Sequence, residues 1–219
     1  MRFINLHTHH ISLDNSLFIL NYRLGYDKVI DTTHSFSIGV HPWDTELNNT
    51  FFVSELEHFL IQPNCLAIGE CGLDKLITTP LNIQKKVFEQ HLQLAIKYNK
   101  PVIIHCVKAF DELIEICKPY FNSIPLIIHG YNKSETLAKQ LIDKGFYLSL
   151  HHNILLKSDF NIQSLSINKL FFETDNNVHL LIQDVYQDFA FKLNMELDVL
   201  KAQINRNFES LYFYDTNNR

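Results

Sequence analysis

Several things are missing from this chain of 219 residues, and each absence removes a class of protein. The four cysteines, Cys65, Cys71, Cys106 and Cys117, show no CxxC spacing and lie mostly inside apolar runs, so they read as reduced, buried thiols and not as a disulfide framework. No apolar run is long enough to cross a bilayer, and Met1-Arg2-Phe3 leads straight into strand-like sequence without the pattern of a secretory leader. A cytoplasmic, membrane-free protein is the expectation. There is no excess of positive charge: 19 Lys and Arg against 24 Asp and Glu give a formal net charge of −5, which argues against binding polyanions through a broad basic face. Bound divalent cations can still make a pocket locally positive in an acidic protein. No internal repeat, low-complexity segment or interdomain linker is present, and nothing in the sequence calls for an obligate protein partner. With 46% hydrophobic and 20% charged residues, the chain reads as one globular domain over 1–219, long enough to bury about 70% of its unfolded surface.

What is present is an alternation. Short aliphatic runs are separated by amphipathic stretches, the pattern of parallel strands joined by crossover helices. The expected strands are Phe3 to His7, Ser37 to His41, Leu66 to Glu70, Val102 to His105, Leu126 to His129, Phe146 to Leu150 and Leu170 to Thr174. Helical spacing runs from Ile83 to Tyr98 and stops before Pro101; a second helix, Phe110 to Lys118, is stopped by Pro119. Ser134 to Lys144 opens on a capping serine and closes on Gly145. Val178 to Tyr214 reads as two or three helices. Ser16 to Arg23 suggests an extra strand, yet the helix that should follow the first strand of a regular barrel is missing. The expected fold is therefore α/β, a distorted or truncated (β/α) TIM-type barrel.

In parallel α/β folds the chemistry gathers at the C-terminal strand ends. His7, His9, Glu70, His105, His129 and Asp175 all fall at such ends or one residue beyond. His7 and His9, two apart on a strand, present their rings to the same side. Imidazole nitrogen with carboxylate oxygen suits Zn, Mg, Mn or Fe without any thiolate. Six donors exceed the needs of one tetrahedral ion and favour two divalent ions about 3.5 to 4 Å apart, with Glu70 as the natural bridge. Such a pair activates a water for attack on phosphorus or a carbonyl carbon, so the reaction class is metal-assisted hydrolysis.

These residues sit in a wider pattern: His7-Thr8-His9, Gly39-Val40-His41-Pro42, Gly69-Glu70-Cys71-Gly72-Leu73-Asp74, Pro101 to His105, Ile128-His129-Gly130, Glu173-Thr174-Asp175 and a closing Asn207 to Leu211 stretch. The chain resembles, on this pattern, a shortened form of the TatD-type metal-dependent hydrolases of the amidohydrolase superfamily. The resemblance implies a metal-dependent hydrolase barrel that cleaves phosphodiester bonds, commonly with deoxyribonuclease activity of exonuclease character. It implies that His7, His9, Glu70 and Asp175 hold one ion, that Glu70, His105 and His129 hold the other, and that Asp175 with Glu70 is catalytic, Asp175 serving as base toward water. The substrate it implies is a DNA fragment or another phosphodiester. This chain departs from the family pattern at Ile11, where many members carry aspartate, at Cys106-Val107 in place of Ser-Arg, and at His129-Gly130-Tyr131-Asn132-Lys133 in place of His-Cys-Phe-Ser-Gly.

Candidate substrate contacts are His41, Trp43, Lys75, Lys108 and Tyr131. The lysines would act as point charges on phosphate, and the aromatic rings as stacking surfaces for a base. Each has a plainer alternative: a loop anchor for His41, packing for Trp43 and Tyr131, solvated surface for the lysines. Two other functions stay open on the sequence alone, a hydrolase of small-molecule amides, esters or lactones, and a barrel kept as a non-catalytic binding module.

Overall fold

The computed structural model describes residues 1–12, 14–45 and 52–212. Eight strands and six α-helices occur among them. The strands are β1 (Ile4–Thr8), β2 (Leu17–Arg23), β3 (Phe36–Gly39), β4 (Cys65–Asp74), β5 (Val102–Val107), β6 (Leu126–Tyr131), β7 (Tyr147–Leu150) and β8 (Leu170–Phe172). The helices are α1 (Phe52–Leu60), α2 (Leu81–Tyr98), α3 (Phe110–Cys117), α4 (Glu135–Asp143), α5 (Ile182–Leu193) and α6 (Leu197–Ser210). Strand order in the sheet follows chain order from β1 to β8.

The chain divides into two compact units, one of Met1–Leu20 with the chain from Ile128 onward, the other of Asn21–Ile127. In the first, β1 pairs in parallel with the start of β2 through Ile4 and Leu17, and β7 pairs with β8 through Ser149 and Phe171. A parallel bridge between Thr8 and Asp175 then returns the ladder from the segment after β8 to β1. In the second unit β3, β4 and β5 are parallel neighbours. This connectivity is that of a TIM-type (β/α) barrel. Its irregularities lie where the sequence lacked a helical stretch: among the described residues no helix joins β1 to β2 or β2 to β3, and three short 3-10 turns replace a helix between β7 and β8.

Each unit has its own apolar interior. In the first, Phe172 stacks on Phe189 of α5, with ring centroids 4.2 Å apart, and meets Tyr186 edge-on at 5.0 Å. The Tyr186 hydroxyl donates to the Ile4 carbonyl, so α5 is tied to β1 by a buried hydrogen bond as well as by packing. In the second, α2 lays Val87, Phe88, Leu92 and Ala95 inward and ends at Asn99, whose left-handed backbone (φ 49°) closes the last turn.

Three expectations need correcting. The strand expected at Leu66 to Glu70 runs on to Asp74. Gly69 and Gly72 break the apolar pattern there, but both have positive φ, and a Cβ on either would collide with a carbonyl oxygen of β5, that of Ile103 or of His105. These glycines serve the close approach of two strands. The last strand is shorter than expected, ending at Phe172. Helix α1 had no counterpart in the sequence reading, while the extra strand suggested at Ser16 to Arg23 is β2. Tyr214, where the C-terminal helical stretch was expected to end, lies outside the described residues.

Candidate metal centre

Five of the chemistry-bearing side chains of the first unit gather where β1, β6 and β8 end. The mutual pairing of β1 with the segment after β8 fixes Asp175: its N–H donates to the His7 carbonyl at 3.1 Å, and its own carbonyl accepts from the His9 N–H at 3.1 Å. Beneath it, Asn5 Nδ2 donates to Thr174 Oγ1 at 2.8 Å and Asn5 Oδ1 accepts from the Thr174 N–H at 3.1 Å. The backbone at Asp175 is left-handed, with φ 49°, a conformation that Asp and Asn tolerate better than other side chains do. As a result Asp175 Oδ1 lies 3.7 Å from His7 Nε2 and 3.5 Å from His9 Nε2.

His7 is fully buried, at 0% exposure, with its ring 5.1 Å from that of His9 and 4.3 Å from that of His129. His129 Nδ1 lies 3.4 Å from Glu173 Oε1, which also accepts the Gly130 N–H at 2.8 Å. Burial, reinforced by the nearby Asp175 carboxylate and opposed by His129, raises the Glu173 pKa. Glu173 was not singled out in the sequence reading; its position two residues before Asp175, at the end of an apolar strand, is the signal that could have marked it.

The second unit carries its own cluster at the ends of β3, β4 and β5. Glu70 Oε1 accepts from His41 Nε2 at 3.1 Å and from His105 Nδ1 at 2.7 Å. His41 Nδ1 accepts the Trp43 N–H, which places the His41 proton on Nε2. Burial lowers the His41 pKa against the opposing pull of Glu70. The Glu70 N–H donates to Asn21 Oδ1 at 2.8 Å, anchoring the strand beneath the carboxylate. Asp74 Oδ2 accepts the Trp43 indole N–H at 2.9 Å and lies 3.5 Å from His105 Nε2. Burial pushes the Asp74 pKa up, but hydrogen bonds from Trp43 and from the Leu76 N–H outweigh it and leave it below the usual value.

Three groupings within single units have ligand atoms within 4.8 Å of one another: His7, His9 and Asp175; His129, Glu173 and Asp175; His41, Glu70 and His105. Their donors are all imidazole nitrogen and carboxylate oxygen, which fits a borderline or hard divalent cation. The thiols take no part in these groupings: all four cysteines are buried, and burial raises the Cys65 pKa to about 11.

The remaining substrate candidates divide. Trp43 is 56% exposed and adjoins His41, with ring centroids 4.8 Å apart. Lys108 is exposed at a left-handed backbone position. Lys75 is held by Glu112 at 2.7 Å. Tyr131 corrects the expectation of a stacking surface: it is 1% exposed and its hydroxyl donates to the Ser134 carbonyl, so it packs and offers no face to a ligand.

Known proteins resemble this chain in sequence and in fold. The TatD related DNase family matches residues 11–213. A curated metal-dependent hydrolase of Buchnera aphidicola, itself uncharacterised, is 30% identical over 153 residues, covering 64% of this chain and 58% of the relative. The 3'-5' ssDNA/RNA exonuclease TatD of Edwardsiella piscicida is 32% identical over 115 residues, covering 51% of this chain and 44% of the relative. The chain thus spans about half the length of these curated relatives. Among solved structures, the TatD homologue YjjV of Escherichia coli superimposes with a TM-score of 0.79 at 20% identity, covering 96% of this chain and 98% of the other.

Proposed function

Because the chain belongs to the TatD related DNase family, we propose that it is a divalent-metal-dependent hydrolase that cleaves phosphodiester bonds in DNA or another nucleic-acid fragment. The observation that carries this reading is the gathering of His7, His9 and Asp175, from the two ends of the sequence, around one small volume. The proposed ligand set is His7, His9, Glu70, His105, His129 and Asp175, holding two ions. Cations held by such donors supply Lewis-acid charge that lowers the pKa of water and offsets charge on phosphoryl oxygens.

The protein's own groups do the rest. Asp175, fixed by backbone pairing on both sides, takes the proton of the attacking water. Glu173 orients the His129 ring through Nδ1. In the other unit His41 and His105 both donate to Glu70 Oε1, holding that carboxylate in one rotamer. Trp43, His41 and Lys108 are the proposed substrate contacts, with Lys75 available only if it leaves Glu112.

The test is to load the protein with Mn, Zn or Mg and assay it on single-stranded oligonucleotides and on bis-p-nitrophenyl phosphate, with metal content measured in parallel. Hydrolysis that disappears with chelator is expected. Turnover of an ester, amide or lactone with neither phosphodiester cleaved would refute the nuclease reading, and metal content below one equivalent would refute the metal centre itself. No helix among the described residues is long and apolar enough to cross a membrane.

A further inference from the structure

The substrate contacts proposed above, His41, Trp43 and Lys108, all belong to the Asn21–Ile127 unit. The unit that carries His7, His9, His129, Glu173 and Asp175 also presents His151, directly after β7. Which way its side chain faces follows from the packing. Phe172 is turned to α5, where it stacks on Phe189, so its neighbours Phe171 and Glu173 face the other way, Glu173 toward His129. In β7, which pairs with β8, the Tyr147 ring lies 5.8 Å from that of Phe171 and shares its side. Ser149 and His151 follow Tyr147 at alternate positions. The backbone is still extended at His151 (φ −71°, ψ 134°), and its N–H donates to the carbonyl of Tyr131 at 3.1 Å, two residues past His129. His151 therefore stands one step beyond Ser149, on the face that carries His129, Glu173 and Asp175.

His151 is half-buried and held in place. Its Nδ1 accepts the Asn153 N–H at 3.1 Å, capping the 3-10 turn His152–Leu156, so the proton of the neutral ring is on Nε2. The turn is tied down at both ends: the His152 ring hydrogen-bonds Asp188 of α5 at 2.7 Å, and Lys157 Nζ donates to the Asn132 carbonyl at 2.9 Å. His41 in the other unit is built alike, capping a turn through Nδ1 and donating from Nε2 to Glu70. Nε2 of His151 has no hydrogen-bond partner among the described residues, and His151 belongs to none of the ligand groupings found among them. A fixed N–H that borders such a grouping without joining it suits an oxygen of the substrate, and the anionic oxygens of a phosphodiester are strong acceptors.

We propose that His151 is a substrate contact, its Nε2–H donating to a non-bridging phosphoryl oxygen at the His129–Glu173–Asp175 grouping. This rests on the phosphodiesterase reading for the nature of the substrate. It adds a residue outside the proposed ligand set and outside the contacts named for the other unit.

Two variants separate this role from the capping of the turn. In H151N the side-chain oxygen still caps Asn153, but no donor reaches the position of Nε2; in H151Q the amide donor reaches it and the cap is lost. With Zn-loaded protein and bis-p-nitrophenyl phosphate, H151N should keep its melting temperature and lose about tenfold in kcat/KM, the worth of one hydrogen bond to a charged acceptor. H151Q should melt lower and keep kcat/KM within about twofold of the unaltered protein. The reverse pattern, or an unchanged kcat/KM in H151N, overturns the contact. A second measurement needs no turnover. The ring nitrogens of His151, assigned in isotope-labelled protein by the resonances that H151N lacks, are followed while inorganic phosphate is added. The ring should be the Nε2–H form from the start, and the Nε2 resonance should move saturably with phosphate. An Nδ1–H ring, or a resonance that stays still, overturns the proposal. The two readings fail separately. A phosphate-dependent shift without cleavage of bis-p-nitrophenyl phosphate removes the hydrolase and keeps the anion contact, and cleavage with an unmoved His151 resonance does the reverse.

Discussion

His7 Nε2 and Asp175 Oδ1 stand 3.7 Å apart, although one residue belongs to the first strand and the other follows the last. The contact exists because the Thr8–Asp175 bridge pins the two backbones together, so the side chains inherit their placement from the strand ladder. A site built this way should tolerate replacement of the carboxylate without loss of fold.

The variant D175N tests that. Asparagine also accepts the left-handed backbone at this position, so the fold should be retained, with melting temperature and circular dichroism close to those of the unaltered protein. The variant lacks the proposed proton acceptor, and phosphodiester hydrolysis should fall by about 10² to 10⁴-fold. Equal rates in the two proteins would show that Asp175 is not the base.

Glu173 offers a second, separable test. The Glu173 side chain is buried, and its Oε1 satisfies the N–H of half-buried Gly130 and faces Nδ1 of half-buried His129. E173A should lower stability by about 1 kcal/mol, the loss of the hydrogen bond to the half-buried Gly130 N–H. Loss of the group that orients His129 should also weaken metal binding by about 10 to 100-fold. Calorimetric metal titration of the variant separates the two effects; unaltered metal affinity would confine Glu173 to a structural role.

Much of this arrangement was legible in the sequence, and the reasons are local. An apolar run ending in His, Glu or Asp reads as a strand with a polar side chain toward its C-terminal end, and on that ground His7 and His129 in one unit, and Glu70 and His105 in the other, were singled out before any coordinates. The alternation of aliphatic runs with amphipathic stretches carried the barrel, and the wider pattern of motifs carried the family. Tyr131 misled because a tyrosine in a strand looks the same whether its face is packed or open; only its neighbours decide. Arg23 and Asp44, 21 positions apart, form their ion pair through a turn and a strand end that no periodicity links. The full length of β4 was hidden because Gly72, just past the expected end at Glu70, looks like an interruption, whereas the neighbouring strand requires it.

That requirement gives a prediction for Gly72. Its φ is +144°, and an added methyl would meet the His105 carbonyl oxygen, a backbone atom that cannot swing aside. G72A should destabilise the protein by more than about 2 kcal/mol, from the strained backbone and the displaced strand together. It should also impair activity, because His105 sits on the displaced strand. Denaturant unfolding checks the first effect; a midpoint within error of the unaltered protein would mean that β4 and β5 can part at no cost.

The dependence of stability on pH should carry the mark of His91, which lies in α2, fully buried, with Nδ1 donating to the Val87 carbonyl at 2.7 Å and Nε2 accepting the Val40 N–H at 2.9 Å. Burial depresses its pKa from 6.5 to about 4, so the folded protein keeps the ring neutral where the unfolded chain would protonate it. Between those values the unfolded state binds more protons, and stability therefore rises with pH across the window. The contribution is fully present above pH 6.5 and is lost as pH falls toward 4, on the order of 3 kcal/mol in all. Other groups titrate in the same range, so the measurement is the difference between the unaltered protein and H91Q, whose amide can replace both hydrogen bonds but has no proton to gain. The unaltered protein should lose stability faster than H91Q on acidification from pH 7 to pH 4, and parallel curves would mean that the His91 ring is protonated as readily in the fold as outside it.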